Sequence, residues 1–129
     1  MKVITWNVRK SKKDSVTWGI IQAYDPDIML LQEVYELPDT LLDQYQSVCE
    51  NPKTKTGKNQ VFKTFILCKG TINSKLKLTS DYTWVNNEYS YFSGNIVGYE
   101  VTTQHNETYN VISTYIPAWP VQDERLEGI

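Results

Sequence analysis

Two short apolar runs near the start of the chain constrain its fold more than any other feature. Residues 3–8 are rich in β-branched and aromatic side chains and predict a strand. Residues 28–31 are continuously apolar, which is typical of a parallel strand that is covered on both faces. Between them, Asp14 or Ser15 can cap a helix that Pro26 ends. Apolar residues recur there at helical spacing: Val16, Ile20, Ala23 and Tyr24. The chain therefore opens with a strand-helix-strand unit, whose crossover we expect to be right-handed.

After this unit the apolar pattern predicts a short second helix that begins near Pro38. Its apolar residues are Leu37, Leu41, Leu42 and Tyr45. The period then changes to two, and strands are predicted over residues 45–50 and 60–69, on either side of a polar loop at 51–59.

The last part of the chain predicts further strands. Short strands are expected over residues 75–78 and 82–85, and a hairpin over 96–103 and 109–116 with its turn at 104–107. Pro117 and Pro120 stop the pairing. Residues 123–127 resemble the first turn of a helix.

Length and composition indicate one soluble globular domain, and the strand-helix-strand pattern gives it the α/β class. The chain has 129 residues, of which 40% are hydrophobic and 22% are charged. The formal net charge is −2, so no global positive field gathers nucleic acid. The sequence shows neither a signal peptide nor an apolar run long enough to span a membrane, and we expect a cytoplasmic protein. Cys49 and Cys68 are expected to be reduced structural residues.

Polar residues end the two opening strands. Glu33 follows the second apolar run, where a carboxylate is well placed to hold Mg²⁺ or Mn²⁺; alternatively it is an exposed residue at the strand end. Asn7 ends the first strand and can orient a phosphate oxygen or support a metal; alternatively it forms the turn that follows. Because parallel strands bring both residues to one sheet edge, where open α/β sheets place ligands, the pair indicates an active-site rim.

Other candidates are weaker on their own. Tyr115, at the end of the last strand, could hydrogen-bond a phosphate oxygen or assist a leaving group, although half-buried packing is the ordinary role of a strand tyrosine. His105 lies in the predicted hairpin turn and is expected to be a surface residue. A group of lysines could help bind a polyanion or could simply be solvated. These lysines are Lys53, Lys55, Lys58 and Lys63.

Three strings together resemble the endonuclease/exonuclease/phosphatase superfamily, which includes deoxyribonuclease I, apurinic endonucleases and inositol-phosphate phosphatases. They are residues 4–9 (Ile-Thr-Trp-Asn-Val-Arg), 30–34 (Leu-Leu-Gln-Glu-Val) and 110–117 (Asn-Val-Ile-Ser-Thr-Tyr-Ile-Pro). The resemblance implies that residues 1–129 are a single partial domain, the N-terminal half of a four-layer α/β sandwich. It also implies that Glu33 is the principal Mg²⁺ ligand, that Asn7 lies in the phosphate and metal site, and that Tyr115 is an active-site tyrosine. It gives Arg9 no definite role.

The chain also departs from the pattern of the superfamily. Members carry a later Gly-Asp-x-Asn string and a Ser-Asp-His string, and neither occurs here. We therefore expect this chain to be a truncated half of a Mg²⁺-dependent phosphoesterase, and thus a piece of a longer protein. Alone, it should be nearly inactive. Its substrate is a phosphomonoester or phosphodiester, nucleic acid included. The alternative is a non-catalytic remnant of that fold, which associates with itself through an uncovered sheet face or binds a partner.

Overall fold

The computed structural model describes residues 1–54 and 56–116. These residues form seven strands and three helices. In chain order they are β1 (Val3–Asn7), α1 (Val16–Ala23), β2 (Ile28–Val34), α2 (Asp39–Leu42), β3 (Gln46–Cys49), β4 (Lys63–Cys68), β5 (Gly70–Lys75), α3 (Thr83–Tyr91), β6 (Ile96–Thr103) and β7 (Thr108–Thr114).

The first sheet contains the predicted strand-helix-strand unit. Its strand order is β1-β2-β4-β3, with β1 parallel to β2 and the other pairs antiparallel. Helix α1 connects β1 to β2, and the hydroxyl of Ser15 accepts a hydrogen bond from the backbone N–H of Thr17 at 3.2 Å, as expected of an N-cap. The parallel register pairs Val3 with Ile28 and Asn7 with Gln32, so both strands end at the same edge.

The second sheet is antiparallel, in the order β5-β6-β7. The predicted hairpin is confirmed as β6 and β7, in a register that pairs Ile96 with Thr114 and Thr102 with Thr108. Strand β6 has the predicted bounds, because its inward-facing residues Val97 and Val101 alternate with a more exposed row.

Two apolar cores hold these layers together. One lies between the first sheet and α1 and includes Trp18, Ile21, Met29 and Leu31. The other lies between the two sheets and joins Ile28, Ile66 and Cys68 to Val97 and Val101. Strand β2 contributes to both cores, which confirms that it is covered on both faces. Each fully buried large aliphatic side chain contributes about 1.5–3 kcal/mol, so these two cores supply most of the favourable free energy of folding.

Two predicted strands are wrong. Tyr82 is the N-cap of helix α3, and residues 83–85 form the start of that helix. The amide of Asn86 accepts from the N–H of Ser80 at 2.7 Å and donates to its carbonyl oxygen at 3.0 Å. This pair of bonds closes the preceding loop onto the first helical turn and overrides the strand propensity of Tyr, Thr, Trp and Val. The predicted strand at 75–78 meets the observed strand β5 only at Lys75. Residues 117–129, with the predicted stop and helical turn, lie outside the described residues.

Asp27 joins three segments at the opposite end of the sheets. Its carboxylate accepts from the backbone N–H of Lys2 at 2.8 Å and from the amide of Gln104 at 3.2 Å. His105, exposed in the hairpin turn, lies 3.5 Å from the same carboxylate. These contacts hold the pKa of Asp27 below its ordinary value, and the hydrogen bond from the Lys2 N–H has the largest effect.

Cys49 and Cys68 are both free thiols, and burial raises the pKa of each. Cys68 is buried and Cys49 is half-buried, which agrees with the predicted structural role, and their redox state stays a prediction. Within residues 1–54 and 56–116, no helix has the length and apolar character needed to cross a membrane.

Candidate functional site

Glu33 lies near the end of β2 in a distorted stretch of backbone. Its φ is +52°, in the left-handed region that non-glycine residues seldom adopt, and the pairing of β2 with β4 shifts register between Leu31 and Val34. A bulge of this kind turns a side chain away from the regular alternation of the strand. The carbonyl oxygen of Glu33 accepts from the N–H of Lys10 at 2.8 Å, which fastens the loop after β1 to this position.

Tyr115 comes from the second sheet and reaches Glu33. Its backbone N–H donates to the carbonyl oxygen of Asn95 at 2.8 Å, and its hydroxyl donates a long hydrogen bond of 3.5 Å to a carboxylate oxygen of Glu33. Burial, together with the nearby charge of Glu33, raises the pKa of Tyr115. The phenol therefore remains protonated at neutral pH and acts as a hydrogen-bond donor.

Asn7 lies at the same sheet edge, as its sequence position predicts, and its side chain is exposed. Its side-chain oxygen accepts from the backbone N–H of Arg9 at 2.9 Å. This is the turn-forming role that stood as the alternative in the sequence. The bond uses one of the two lone pairs of the amide oxygen, so that oxygen can still ligate a metal, and the amide N–H₂ group can donate to a phosphate oxygen. Arg9 and Lys10 both have positive φ, +51° and +58°, which gives this loop an uncommon backbone conformation.

Gln32 is a buried polar residue that the sequence did not single out as functional. Its side-chain N–H₂ group lies 3.1 Å from the carbonyl oxygen of Leu30, 3.3 Å from the hydroxyl of Thr5 and 3.3 Å from the hydroxyl of Ser113. Thr5 belongs to β1 and Ser113 to β7, so one amide connects three strands and both sheets. The signal in the sequence is an amide inside an apolar run, next to Glu33.

Phe62 is the second residue that sequence reasoning missed. Its ring packs edge-on against the ring of Tyr115, with centroids 5.4 Å apart, and the ammonium of Lys10 lies 4.8 Å from its centroid. Phe62 directly precedes β4, and an aromatic residue at a strand entrance is the only trace of this role in the sequence. Phe62 therefore contacts both the ring of Tyr115 and the ammonium of Lys10.

The predicted lysine group is only partly described. Lys53 donates to the side-chain oxygen of Asn59 across its loop, Lys58 is exposed and Lys63 is half-buried on β4. Lys55 lies outside the described residues. Binding of a polyanion by this group stays a prediction.

The described edge offers a sparse set of metal ligands. No group of three or more His, Cys, Asp or Glu residues within residues 1–54 and 56–116 is arranged to hold a metal ion. A half-exposed carboxylate and an exposed amide fit a water-rich Mg²⁺ site, because Mg²⁺ usually keeps several waters and needs only one or two protein carboxylates. A cavity of about 460 Å³ lies beside the loop after β1, lined by Trp6, Asn7, Val8, Arg9, Ser11 and Thr17. Of the three predicted site residues, Asn7 lines this cavity, and Glu33 and Tyr115 do not.

No family model matches the chain, and no curated protein matches it significantly.

Proposed function

We propose that this chain is part of a Mg²⁺-dependent phosphoesterase that hydrolyses a phosphomonoester or a phosphodiester. The observation that supports it best is the 3.5 Å contact between the Tyr115 hydroxyl and the Glu33 carboxylate, which come from different sheets. A metal-type carboxylate and a protonated phenol thereby meet at the carboxyl end of β2, beside the end of β1. Open α/β sheets bind ligands at such an edge.

The residues take distinct roles in this proposal. Glu33 would hold Mg²⁺ or Mn²⁺, which when bound polarises a phosphoryl group and neutralises developing charge. Tyr115 would donate a hydrogen bond from its hydroxyl to a phosphate oxygen or assist the leaving oxygen. The amide N–H₂ of Asn7 would orient a second phosphate oxygen. Lys10, held over Phe62, would add positive charge near the substrate.

The same proposal includes the finer architecture. The two sheets pack face to face, and α1 lies on the outer side of the first sheet. Ile96 and Gly98, on the outer side of β6, line a cleft together with residues of α3. These positions support one half of a four-layer sandwich with helices outside two sheets.

The experiment compares this 129-residue chain with the product of a longer reading frame. One carboxylate binds Mg²⁺ weakly, so we expect the chain alone to hydrolyse bis(p-nitrophenyl) phosphate and p-nitrophenyl phosphate at the background rate. An in-frame Gly-Asp-x-Asn string and a later Ser-Asp-His string downstream of residue 129 would identify the partner half. We expect the longer product to hydrolyse one of these esters in Mg²⁺ and to lose that rate in Glu33→Ala.

The outcomes separate the two parts of the proposal. A metal-dependent rate from the pure 129-residue chain, lost in Glu33→Ala, contradicts the expected inactivity of the chain but supports the reaction. A longer product that carries both strings and hydrolyses neither ester contradicts the proposed reaction itself.

A second candidate function is self-association through β1. Strand β2 lies against β7, and β1 is the next strand outward. Val3 shares a face with Ile28, which is buried between the sheets, yet Val3 is 46% exposed. A second copy of the chain would cover this face and remove the exposed apolar surface from water. Sedimentation equilibrium should then show a dimer that Val3→Lys dissociates, and a well-folded wild-type monomer at high concentration would count against it.

A further inference from the structure

A cavity lies away from Glu33, beneath helix α3. It has a volume of about 610 Å³ and is bounded by α3, the segment after β5 and the outer face of β6. Its floor is apolar and consists of Leu76, Leu78 and Ile96, with Gly98 between them. Small-molecule sites in proteins commonly have this size and combine an apolar floor with a few polar groups.

Two contacts fix the position of α3 over the second sheet. Near the start of the helix, Asn86 is bonded twice to Ser80. Just beyond its end, Gly94 approaches the loop before β4 so closely that a Cβ would lie 2.6 Å from the backbone nitrogen of Pro52. None of the nine residues of α3, all of them described, is fully buried. The residues of α3 are at most half-buried, so the cavity between the helix and the sheet is open to solvent.

The charges at the cavity favour an anion. Glu50 at one end is already engaged, because Lys75 lies 3.1 Å from its carboxylate and the hydroxyl of Tyr99 donates to it at 2.9 Å. Burial, and then this bond to Glu50, raises the pKa of Tyr99 to about 12, so the hydroxyl remains a donor. Lys77 lines the same cavity and is exposed, which leaves a net positive charge among the lining residues.

We propose that this cavity binds a small organic anion with a flat apolar body, of the class of a nucleoside monophosphate. The flat body lies on Leu76, Leu78 and Ile96, where the absence of a side chain at Gly98 gives the floor its depth. The anionic group pairs with Lys77. The hydroxyl groups of Ser90 and Ser93, which line the cavity, supply hydrogen bonds to the polar edge of the body.

The test titrates the 129-residue chain with AMP, adenosine and inorganic phosphate by calorimetry, in buffer that contains EDTA so that no metal contributes. AMP should bind saturably and at least ~10-fold more tightly than adenosine or phosphate alone, because each fragment lacks one half of the recognition. Saturable binding of phosphate equal to that of AMP would contradict the role of the floor. Absence of saturable AMP binding up to ~10 mM overturns the proposal.

Two variants locate the binding. Gly98→Leu fills the floor and should weaken AMP at least 10-fold, while near-ultraviolet circular dichroism checks that it remains folded; the space allows a Cβ, which would lie 3.4 Å from Leu76. Lys77→Ala, on the exposed rim, should weaken AMP by about 5-fold and leave adenosine unchanged. Lys12→Ala is the control, because it removes an exposed lysine that does not line the cavity, and it should leave the affinity for AMP unchanged.

Glu33→Ala separates this cavity from the proposed phosphoesterase site. AMP binding in EDTA should be unaffected by this substitution. Loss of binding in Glu33→Ala, or wild-type affinity in both Gly98→Leu and Lys77→Ala, would place AMP elsewhere and overturn the proposal.

Discussion

Replacing Gln32 by leucine should destabilise the contact between the two sheets without removing volume from it. The Gln32 amide is 9% exposed and donates to Ser113 in the second sheet, whose side chain is also buried. It donates as well to Thr5 on the neighbouring strand. Leucine has nearly the same size, so the substitution removes hydrogen bonds and leaves packing largely intact.

The magnitude follows from the groups that lose a partner. Each lost bond contributes a net ~1 kcal/mol, and the buried Ser113 hydroxyl, left without its donor, adds about 1 kcal/mol more. The apolar contacts of leucine recover part of this loss. We therefore expect Gln32→Leu to lower the free energy of unfolding by about 2 kcal/mol. With a urea dependence of about 2 kcal/mol per molar, the midpoint moves down by ~1 M.

A double-mutant cycle isolates the bond between the sheets. Gln32→Leu, Ser113→Ala and the double variant are unfolded in urea, with tryptophan fluorescence as the signal. The losses in the free energy of unfolding for the two single variants should add up to about 1 kcal/mol more than the loss for the double variant. This is because the second substitution removes a group that the first had already left unpaired. Strictly additive losses would refute the idea that this amide joins the sheets.

Two further predictions concern the opposite end of the sheets and the backbone around α3. The pKa of Asp27 is held low chiefly by the N–H of Lys2, so its carboxylate stabilises the fold above about pH 4 and this contribution is lost as the pH falls through its lowered pKa. At pH 6, Asp27→Asn should have a lower urea midpoint than the wild type, and near pH 2 the two midpoints should approach each other. The control Asp43→Asn, at an exposed carboxylate, should change the midpoint little. Parallel pH profiles for wild type and Asp27→Asn would contradict this. Gly94→Ala should lower the melting temperature strongly, because φ is +95° and the new Cβ would meet backbone at 2.6 Å, while Gly19→Ala in α1 has open space and should stabilise by about 0.5–1 kcal/mol. Equal melting temperatures for these two alanine variants would contradict the close approach of Gly94 to the backbone of Pro52.

The sequence predicts those parts of the fold whose pattern is local. The opening strand-helix-strand unit has a capping serine, a helical period and an apolar run, and each agrees with the others. The hairpin of β6 and β7 has inward residues such as Val97 and Val101 and a polar turn. In both cases one period of hydrophobicity decides the structure.

Where the structure depends on distant contacts, the sequence is a poorer guide. Helix α3 contains strand-forming residues and is fixed by the bonds between Asn86 and Ser80, which no local pattern reveals. Strand β5 exposes most of its residues and therefore lacks a clear alternation. Its pairing with β6 forms it.

The candidate site shows the same division. Glu33 and Asn7 could be placed at one edge from the parallel strands alone. That Tyr115 approaches Glu33 depends on how the two sheets stack, and the participation of Phe62 depends on the loop before β4. The bond from Arg9 to Asn7 is local, and the turn-forming alternative anticipated it.

The most direct test of the proposed function is to measure Mn²⁺ binding by this chain. The signal is the relaxation rate of the water protons. We expect weak binding, with a Kd of ~1 mM or weaker, because one carboxylate supplies most of the protein charge at the site. Glu33→Gln should reduce the affinity at least ~5-fold. Glu36→Gln, an exposed carboxylate that lies 3.2 Å from Lys13, should leave it unchanged. Equal Mn²⁺ affinity in wild type and Glu33→Gln would contradict the assignment of Glu33 as the metal ligand.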